Sequence, residues 1–362
     1  MNKLFVNLDA IKHNLEQIQN YVGEGVLVMP ILKANAYGIG FEQISKVVKD
    51  CTFVGVADMD EATRLQELCP NANIFILYQP GLSQIPALVQ NKFHITVSEP
   101  DFLVQLDKAA QSKVHVHVSV DTGHGSLGIV PEDVEAFIQA LKQTKNIKLE
   151  GVSSHFALFP NVETGNEQVE KFKHAVSRLE KEFGVIKYKH ICSGLSLVSL
   201  KHAHFDMVRP GTLLYGYYDE AFLRDLITVR PSLSLFTNII SIRTIRAGSS
   251  IGYARKDISN VDRIIATLPI GYADGLGGGL INGGYFLVAG HKAPVVGGVC
   301  MNICTIDVSH IRDKVKIGDP VTIFDEENLP IEQLAEWCNI GREEFMTKIS
   351  SHIAREIKKD PT

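Results

Sequence analysis

The chain has 362 residues, enough for about two domains. Hydrophobic residues make up 45%, charged residues 21%, and the formal net charge is −5, a globular balance with no general attraction for nucleic acid or an anionic membrane. No apolar run is long enough to span a bilayer, and the first residues lack the apolar core and cleavage site of a secretory leader, so a cytoplasmic protein is expected.

Residues 3–8 read as a strand that precedes the main fold and is expected to pair with a later β region. Asp9 is read as the N-cap of a helix that puts Ile11, Leu15, Ile18 and Val22 on one face. Short apolar, β-branched runs follow at 26–32, 53–57, 74–78, 94–97, 114–120, 149–155, 188–192 and 205–209. Helical patterns lie between most of them, at 41–49, 59–68, 100–110, 131–143 and 166–183. The fourth opens on Pro131-Glu132-Asp133, a sound helix start. Strands that alternate with helices pair in parallel, and eight such units predict a closed (β/α)₈ TIM barrel. An open doubly wound sheet is the alternative; no G-x-G-x-x-G follows the first run to support it.

Near Arg230-Pro231 the pattern changes to β-rich, turn-rich segments at 233–246, 262–270, 285–290, 293–299, 303–308 and 320–324, with glycines clustered at 271–284. The expectation is a C-terminal mainly-β domain, 231–362 joined by 1–7, after a barrel of residues 8–230. A helical tail is predicted at 330–338 and 342–358.

The six cysteines include no C-x-x-C pair and read as buried free thiols. His115 and His117 share one face of a strand, but no carboxylate cluster accompanies them, and no metal site is expected.

In a parallel barrel, chemistry belongs at the C-terminal ends of strands. Lys33 follows the first run, Asp121-Thr122-Gly123 the fifth, His155 ends the sixth, Ser193-Gly194 follows the seventh and Arg209-Pro210-Gly211-Thr212 the eighth. A lysine delivered by an apolar run is partly desolvated, which favours a nucleophilic amine. Taken alone it reads more readily as a surface lysine. The loops after strands seven and eight are the usual phosphate site of this fold, and here they offer the N–H groups of Gly194, Gly211 and Thr212 and the hydroxyls of Ser193 and Thr212. A phosphate site and a Schiff-base lysine in one barrel mouth point to pyridoxal phosphate (PLP).

These residues carry a resemblance. Lys33-Ala34-Asn35-Ala36-Tyr37-Gly38 resembles the cofactor-lysine motif of the alanine racemase family. Asp121-Thr122-Gly123, Ser154-His155-Phe156-Ala157, Val208-Arg209-Pro210-Gly211 and Gly216 match further family segments in order, and Ile251-Gly252-Tyr253-Ala254, Leu268 to Gly275 and Val299-Cys300-Met301 match its β-domain. The resemblance spans nearly the whole chain. It implies a PLP-binding barrel plus a β-domain, in a homodimer whose active sites are shared, acting on a small amino acid. Carried over by residue, it implies that Lys33 holds PLP and serves as base on one face of the substrate Cα, with Tyr253 of the other subunit serving the opposite face. Arg209 would face the pyridine nitrogen, His155 would orient the ring, and Tyr37 with the Gly211-Thr212 amides would hold phosphate. Met301 would hold the substrate carboxylate through its N–H, and Tyr272 would line the entrance.

The chain departs from the family pattern in the cofactor and substrate shell. Ser119 stands where the family has a lysine and Ser126 where it has an arginine; His124 is unusual in its place and is a candidate substitute for the lost cation. Ser193-Gly194 replaces Asn-Ser, Leu276-Gly277-Gly278 replaces Tyr-Pro-Arg, Met301-Asn302 replaces Met-Asp, and Ile357 stands near the family's tail tyrosine. Two functions follow from this: racemisation of alanine, serine or another small amino acid, or PLP binding as a carrier or regulator with little activity. A metal-dependent hydrolase using His115, His117 and His155 leaves Lys33 and Arg209 unexplained.

Overall fold

The computed structural model describes residues 2–157, 162–253 and 257–358. The chain divides into two compact units: Ala10–Ala36 with Ile44–Arg230, and Met1–Asp9 with Tyr37–Gln43 and Pro231–Thr362. The first strand, β1 (Lys3–Asn7), belongs to the second of these.

The other unit holds β2 (Leu27–Val28), β3 (Phe53–Val56), β4 (Asn73–Ile76), β5 (His94–Val97), β6 (Val114–Ser119), β7 (Ile147–Ser153), β8 (Tyr188–His190) and β9 (Met207–Val208). All eight expected runs are present. From β3 to β8 they form one parallel sheet in sequence order, and β2 pairs with β9 in parallel. Two bridges join these sheets, Ile31 opposite Gly55 and Ser193 opposite Arg209. The Leu32 N–H donates to Gly55 O at 2.7 Å, and the Arg209 N–H donates to Cys192 O at 2.9 Å. The ring of eight parallel strands is therefore closed, which excludes the open doubly wound alternative. A strand such as β3, Phe53-Val54-Gly55-Val56, reads as a continuous apolar run and is buried along its whole length, because both faces are covered. The first run is short as a regular ladder, Leu27–Val28, but its backbone stays bonded further on: the Met29 and Ile31 N–H groups donate to Val208 O and Pro210 O at 2.9 and 3.0 Å, and Pro30 O accepts the Gly55 N–H at 2.8 Å.

The helices Leu8–Val22, Met59–Leu68, Pro100–Ala109 and Val162–Phe183 lie between strands as their apolar spacing predicts. In the first, Ile11 and Ile18 are fully buried, worth roughly 2 kcal/mol each. That helix already begins at Leu8, so Asp9 sits in its first turn and is not the cap; its negative charge still complements the positive end of the helix dipole there. On the same buried face, Asn14 donates to Leu214 O and Arg230 O and accepts from the Arg230 N–H at 2.7 Å. The 131–143 pattern resolves into a 3₁₀ turn, Pro131–Asp133, followed by the helix Val134–Lys142.

The second unit contains β10 (Leu233–Asn238), β11 (Ser241–Ile245), β12 (Ser250–Ile251), β13 (Asp257–Ile258), β14 (Arg263–Leu268), β15 (Tyr285–Val288), β16 (His291–Val296), β17 (Cys304–Asp307), β18 (Pro320–Phe324) and β19 (Ala354–Lys358). Nine strands form one sheet in the order β11-β14-β17-β16-β15-β18-β10-β1-β19. β1 pairs antiparallel with β10 and parallel with β19. The tail corrects the expectation of helix over 342–358. Its helix ends at Lys348, and Ala354–Lys358 is the strand beside β1, with Ile357 opposite Val6. A free strand edge supplied backbone partners that no local pattern encodes.

Candidate active site

Lys33 opens a turn of unusual hand. Ala34, Asn35, Ala36 and Tyr37 all take positive φ, 55°, 53°, 56° and 53°. For residues with a Cβ this costs roughly 1–2 kcal/mol each, so the turn needs anchors. The Ala36 N–H donates to Leu32 O at 2.7 Å. The Asn35 N–H donates to the Glu61 carboxylate at 2.8 Å, whose other oxygen accepts the Ala57 N–H at 2.9 Å. Tyr215 Oη donates to Ile31 O at 2.9 Å just before the turn. Lys33 itself is half-buried. The sequence reading placed Lys33 correctly at a strand end but missed Glu61, whose role depends on a helix brought alongside.

Arg209 leaves the end of β9 and is 5% exposed. Nη1 donates to His190 Nδ1 at 2.6 Å and to His190 O at 2.9 Å; Nη2 donates to Ser154 O and Ile191 O and lies 3.4 Å from His155 Nδ1. These bonds leave Nε out. Burial lowers the guanidinium to about 10. His155 is accessible from the barrel mouth yet walled by protein. That desolvation, with the charges of Arg209, His124 and Lys33, pushes it down to about 3, so it is a neutral ring at physiological pH. The four residues therefore share one electrostatic environment.

His124 lies at the same mouth, its ring 5.2 Å from that of His155 and its Nδ1 2.7 Å from Ser126 Oγ. Asp121 accepts the N–H groups of Gly123 and Gly125 and shapes this loop. Thr122 Oγ1 and Ser154 Oγ are 2.9 Å apart. Ser119 is buried at the end of β6.

The loops after β8 and β9 meet at the Ser193–Arg209 bridge. Ser196 Oγ accepts the Ser193 N–H at 2.8 Å, and the short helix Gly194–Ser199, absent from the sequence reading, follows. Thr212 Oγ1 donates to Asp219 Oδ1 at 2.9 Å. A Cβ at Gly194 would overlap the same carboxylate, which would have to swing aside to admit it. Asp219 is a second residue the sequence reading missed.

Tyr37, Tyr253, Tyr272 and Met301 fall in the other compact unit. Tyr253 is 81% exposed. The Tyr272 N–H donates to Cys300 O and the Ala273 N–H to Met301 O, both at 2.9 Å, which ties Tyr272 to the Met301 segment. Ala254, part of the matched motif, lies outside the described residues.

His115 and His117 do face the same way. They engage neighbours rather than one another: His115 Nδ1 lies 2.9 Å from Glu150 Oε1, and His117 joins His94 and His190 inside the barrel.

The mouth offers an amine, a buried guanidinium and a glycine-rich double loop with N–H groups and a hydroxyl. This donor set fits PLP: an aldehyde for Lys33, a ring nitrogen for Arg209 and a phosphate for the loops. Asp219, beside Thr212 and Gly194, is of the wrong sign for the phosphate end.

Comparison with known proteins agrees. The model of the alanine racemase N-terminal domain matches residues 6–219, and that of the C-terminal domain matches residues 232–357. Alanine racemase 2 of Caldanaerobacter subterraneus subsp. tengcongensis is 37% identical over 330 residues, 89% of this chain and 85% of that one. The alanine racemase of Halothermothrix orenii is 32% identical over 363 residues, 98% of this chain and 96% of its own. Among solved structures, alanine racemase of Clostridium difficile 630 superposes with a TM-score of 0.93 at 27% identity, covering 99% of this chain and 96% of that one. Alanine racemase of Bacillus anthracis with bound L-Ala-P gives 0.92 at 28% identity, covering 99% and 95%. A closed barrel with a strand-end lysine, followed by a β-domain, defines a PLP-dependent amino-acid racemase. The chain belongs to the alanine racemase family.

Proposed function

We propose that this protein racemises a small amino acid, alanine first, by a two-base mechanism in a homodimer. The observation that carries the reading is the convergence of Lys33, His155 and Arg209 at one barrel mouth in a chain of this family. PLP, when bound, supplies the electron-withdrawing group that acidifies the substrate Cα–H. Lys33 would hold the cofactor and would serve as the proton-transfer group on one face of the substrate Cα. The partner subunit's Tyr253 does so on the other. Inversion requires two opposed groups, because the proton must leave one face and return on the other. Exposure of Tyr253 to 81% within its own chain suits a residue that serves a neighbouring copy.

Arg209 would keep its proton and sit against the pyridine nitrogen, so that nitrogen would stay unprotonated. Neutral His155 orients the ring. Tyr37, Ser193, Gly194, Gly211 and Thr212 hold the phosphate. Met301 N–H and His124 receive the substrate carboxylate, and Tyr272 lines the entrance. Six free cysteines and the lack of any long apolar helix among the described residues fit a protein of the reducing cytoplasm.

Ser119 and Ser126 favour a second reading, a PLP carrier with little activity. Losing a charge-assisted contact costs about 1.5–3 kcal/mol, some tenfold to a hundredfold in affinity.

Incubation with PLP and a panel of L-amino acids in D₂O, read as Cα deuteration and chirality, separates the two. Exchange with inversion for one amino acid establishes the racemase and names its substrate. A bound chromophore without exchange, lost in Lys33→Ala, establishes the carrier.

A further inference from the structure

Three histidines inside the barrel are not part of the mouth, yet they are bonded to it in series. His94 on β5, His117 on β6 and His190 on β8 are 6%, 1% and 0% exposed. Starting from the mouth, Arg209 Nη1 lies 2.6 Å from His190 Nδ1, His190 Nε2 lies 2.8 Å from His117 Nδ1, and His117 Nε2 lies 3.1 Å from His94 Nδ1. The His94 ring stacks on His115 at 4.9 Å, and His115 Nδ1 meets Glu150, which is paired with Lys148.

One rule fixes every proton in this series. A guanidinium only donates. His190 Nδ1 must therefore accept, and its hydrogen is on Nε2. That hydrogen points at His117 Nδ1, which must accept in turn, and the same step repeats to His94. All three rings are neutral Nε2–H tautomers, and no other assignment satisfies all three contacts. A second proton on His117 or His190 would set two N–H groups against each other. Among the described residues no carboxylate is bonded to Arg209; its acceptors are carbonyls and imidazoles. The aligned ring dipoles stabilise a buried cation without cancelling its charge.

The chain is also built into the packing. The strand register shifts between Val116 and His117, which sets His117 opposite Gly151. A Cβ at Gly151 would fall 2.7 Å from His117 Cε1 and closer still to Nδ1. Tyr188 stacks on the His117 ring at an interplanar angle of 6°, and Phe75 meets both His117 and His190 edge-on.

We infer that His190, His117 and His94 form a one-way hydrogen-bonded chain that holds Arg209 as a protonated donor toward the cofactor ring. They are positioning residues for racemisation, a role that rests on the reading of Arg209 given above. Each ring that donates becomes a better acceptor at its other nitrogen. His117 thus strengthens the grip of His190 on the Arg209 proton. A firmly held proton leaves the pyridine nitrogen bare, limits electron withdrawal and disfavours moving the substrate's amino group to the cofactor. That side reaction balances by itself: amino acid and PLP become keto acid and pyridoxamine phosphate.

Two measurements test this. The first needs no cofactor: long-range ¹H–¹⁵N spectra of protein labelled at histidine. The expected result is an Nε2–H tautomer for all three rings between about pH 6 and 9, the range their depressed affinity for protons allows. An Nδ1–H or doubly protonated ring among them overturns the chain. The second compares His117→Phe with His94→Gln in PLP-loaded protein, reading pyridoxamine phosphate formed per racemisation event. His117→Phe cuts the series without touching Arg209 and should raise that ratio about two- to fivefold, the scale of cooperative strengthening. His94→Gln keeps an acceptor for His117 and should match wild type. An unchanged ratio in His117→Phe overturns the positioning role. If His117→Phe does not fold, the tautomer spectra of the wild-type chain still decide. Absence of Cα exchange in the wild type would instead sink the racemase reading and leave the tautomer result standing.

Discussion

Two side chains carry sharp consequences. Asp219 accepts the Thr212 hydroxyl beside Gly194, within the loops assigned to the phosphate. A carboxylate near a phosphate dianion repels it, by about 1 kcal/mol or more at contact distances. Asp219→Asn is therefore expected to tighten PLP binding about tenfold while leaving pyridoxal, which lacks the phosphate, unaffected; a titration by fluorescence reads both. Weaker PLP binding in the variant would mean that Asp219 serves to place Thr212. Tyr253 bears on stereochemistry. Tyr253→Phe should slow proton transfer in one direction far more than in the other, and deuterium isotope effects measured from each enantiomer would show it. Equal, wild-type effects in both directions would remove Tyr253 from the mechanism. Lys33, Arg209 and His155 were legible as candidates because strand-end positions are countable along the chain. Glu61, Asp219 and His190 were not, since each matters only through a neighbour distant in sequence.

At the scale of elements, β6 and β7 decide whether the barrel interior holds its polar series. Gly151→Ala would drive a methyl group into the His117 ring, and overpacking of this kind costs roughly 1–3 kcal/mol. The urea midpoint should fall accordingly, with the m-value unchanged. A neutral substitution would show that both the ring and the Tyr188 carbonyl, 2.7 Å from the same methyl, have room to retreat. Strand positions came from apolar spacing, and their order was right through the whole barrel. The tail was misread because β19 exists only where β1 offers an edge. The helix Gly194–Ser199 was missed because a six-residue segment is too short for its period to show.

For the molecule as a whole, the buried histidines set an acid limit. Burial, together with neighbouring positive charge, lowers His117 and His190 well below the usual histidine value; His94 falls to about 4, chiefly by burial. In the unfolded chain the same rings take up protons as the pH falls through about 6.5. Their contribution to stability is thus full above that value and is lost as the pH drops toward 4, at about 1.4 kcal/mol per pH unit for each ring. Thermal midpoints should decline from about pH 6.5 downward, before the carboxylates titrate. A midpoint flat between pH 6.5 and 4.5 would contradict neutral buried rings. The shared-site reading has its own test: specific activity should fall on dilution in step with loss of dimer by sedimentation, and a fully active monomer would refute it.

The sequence by itself determined the barrel, the β-rich second half and the lysine at the first strand end, because apolar periodicity and chain order are local and countable. Only the tertiary structure decided how the barrel closes, where the tail pairs and which histidines line up from Arg209 to His94. Those depend on strand edges and side chains that lie far apart in the chain and meet only when the ring is complete.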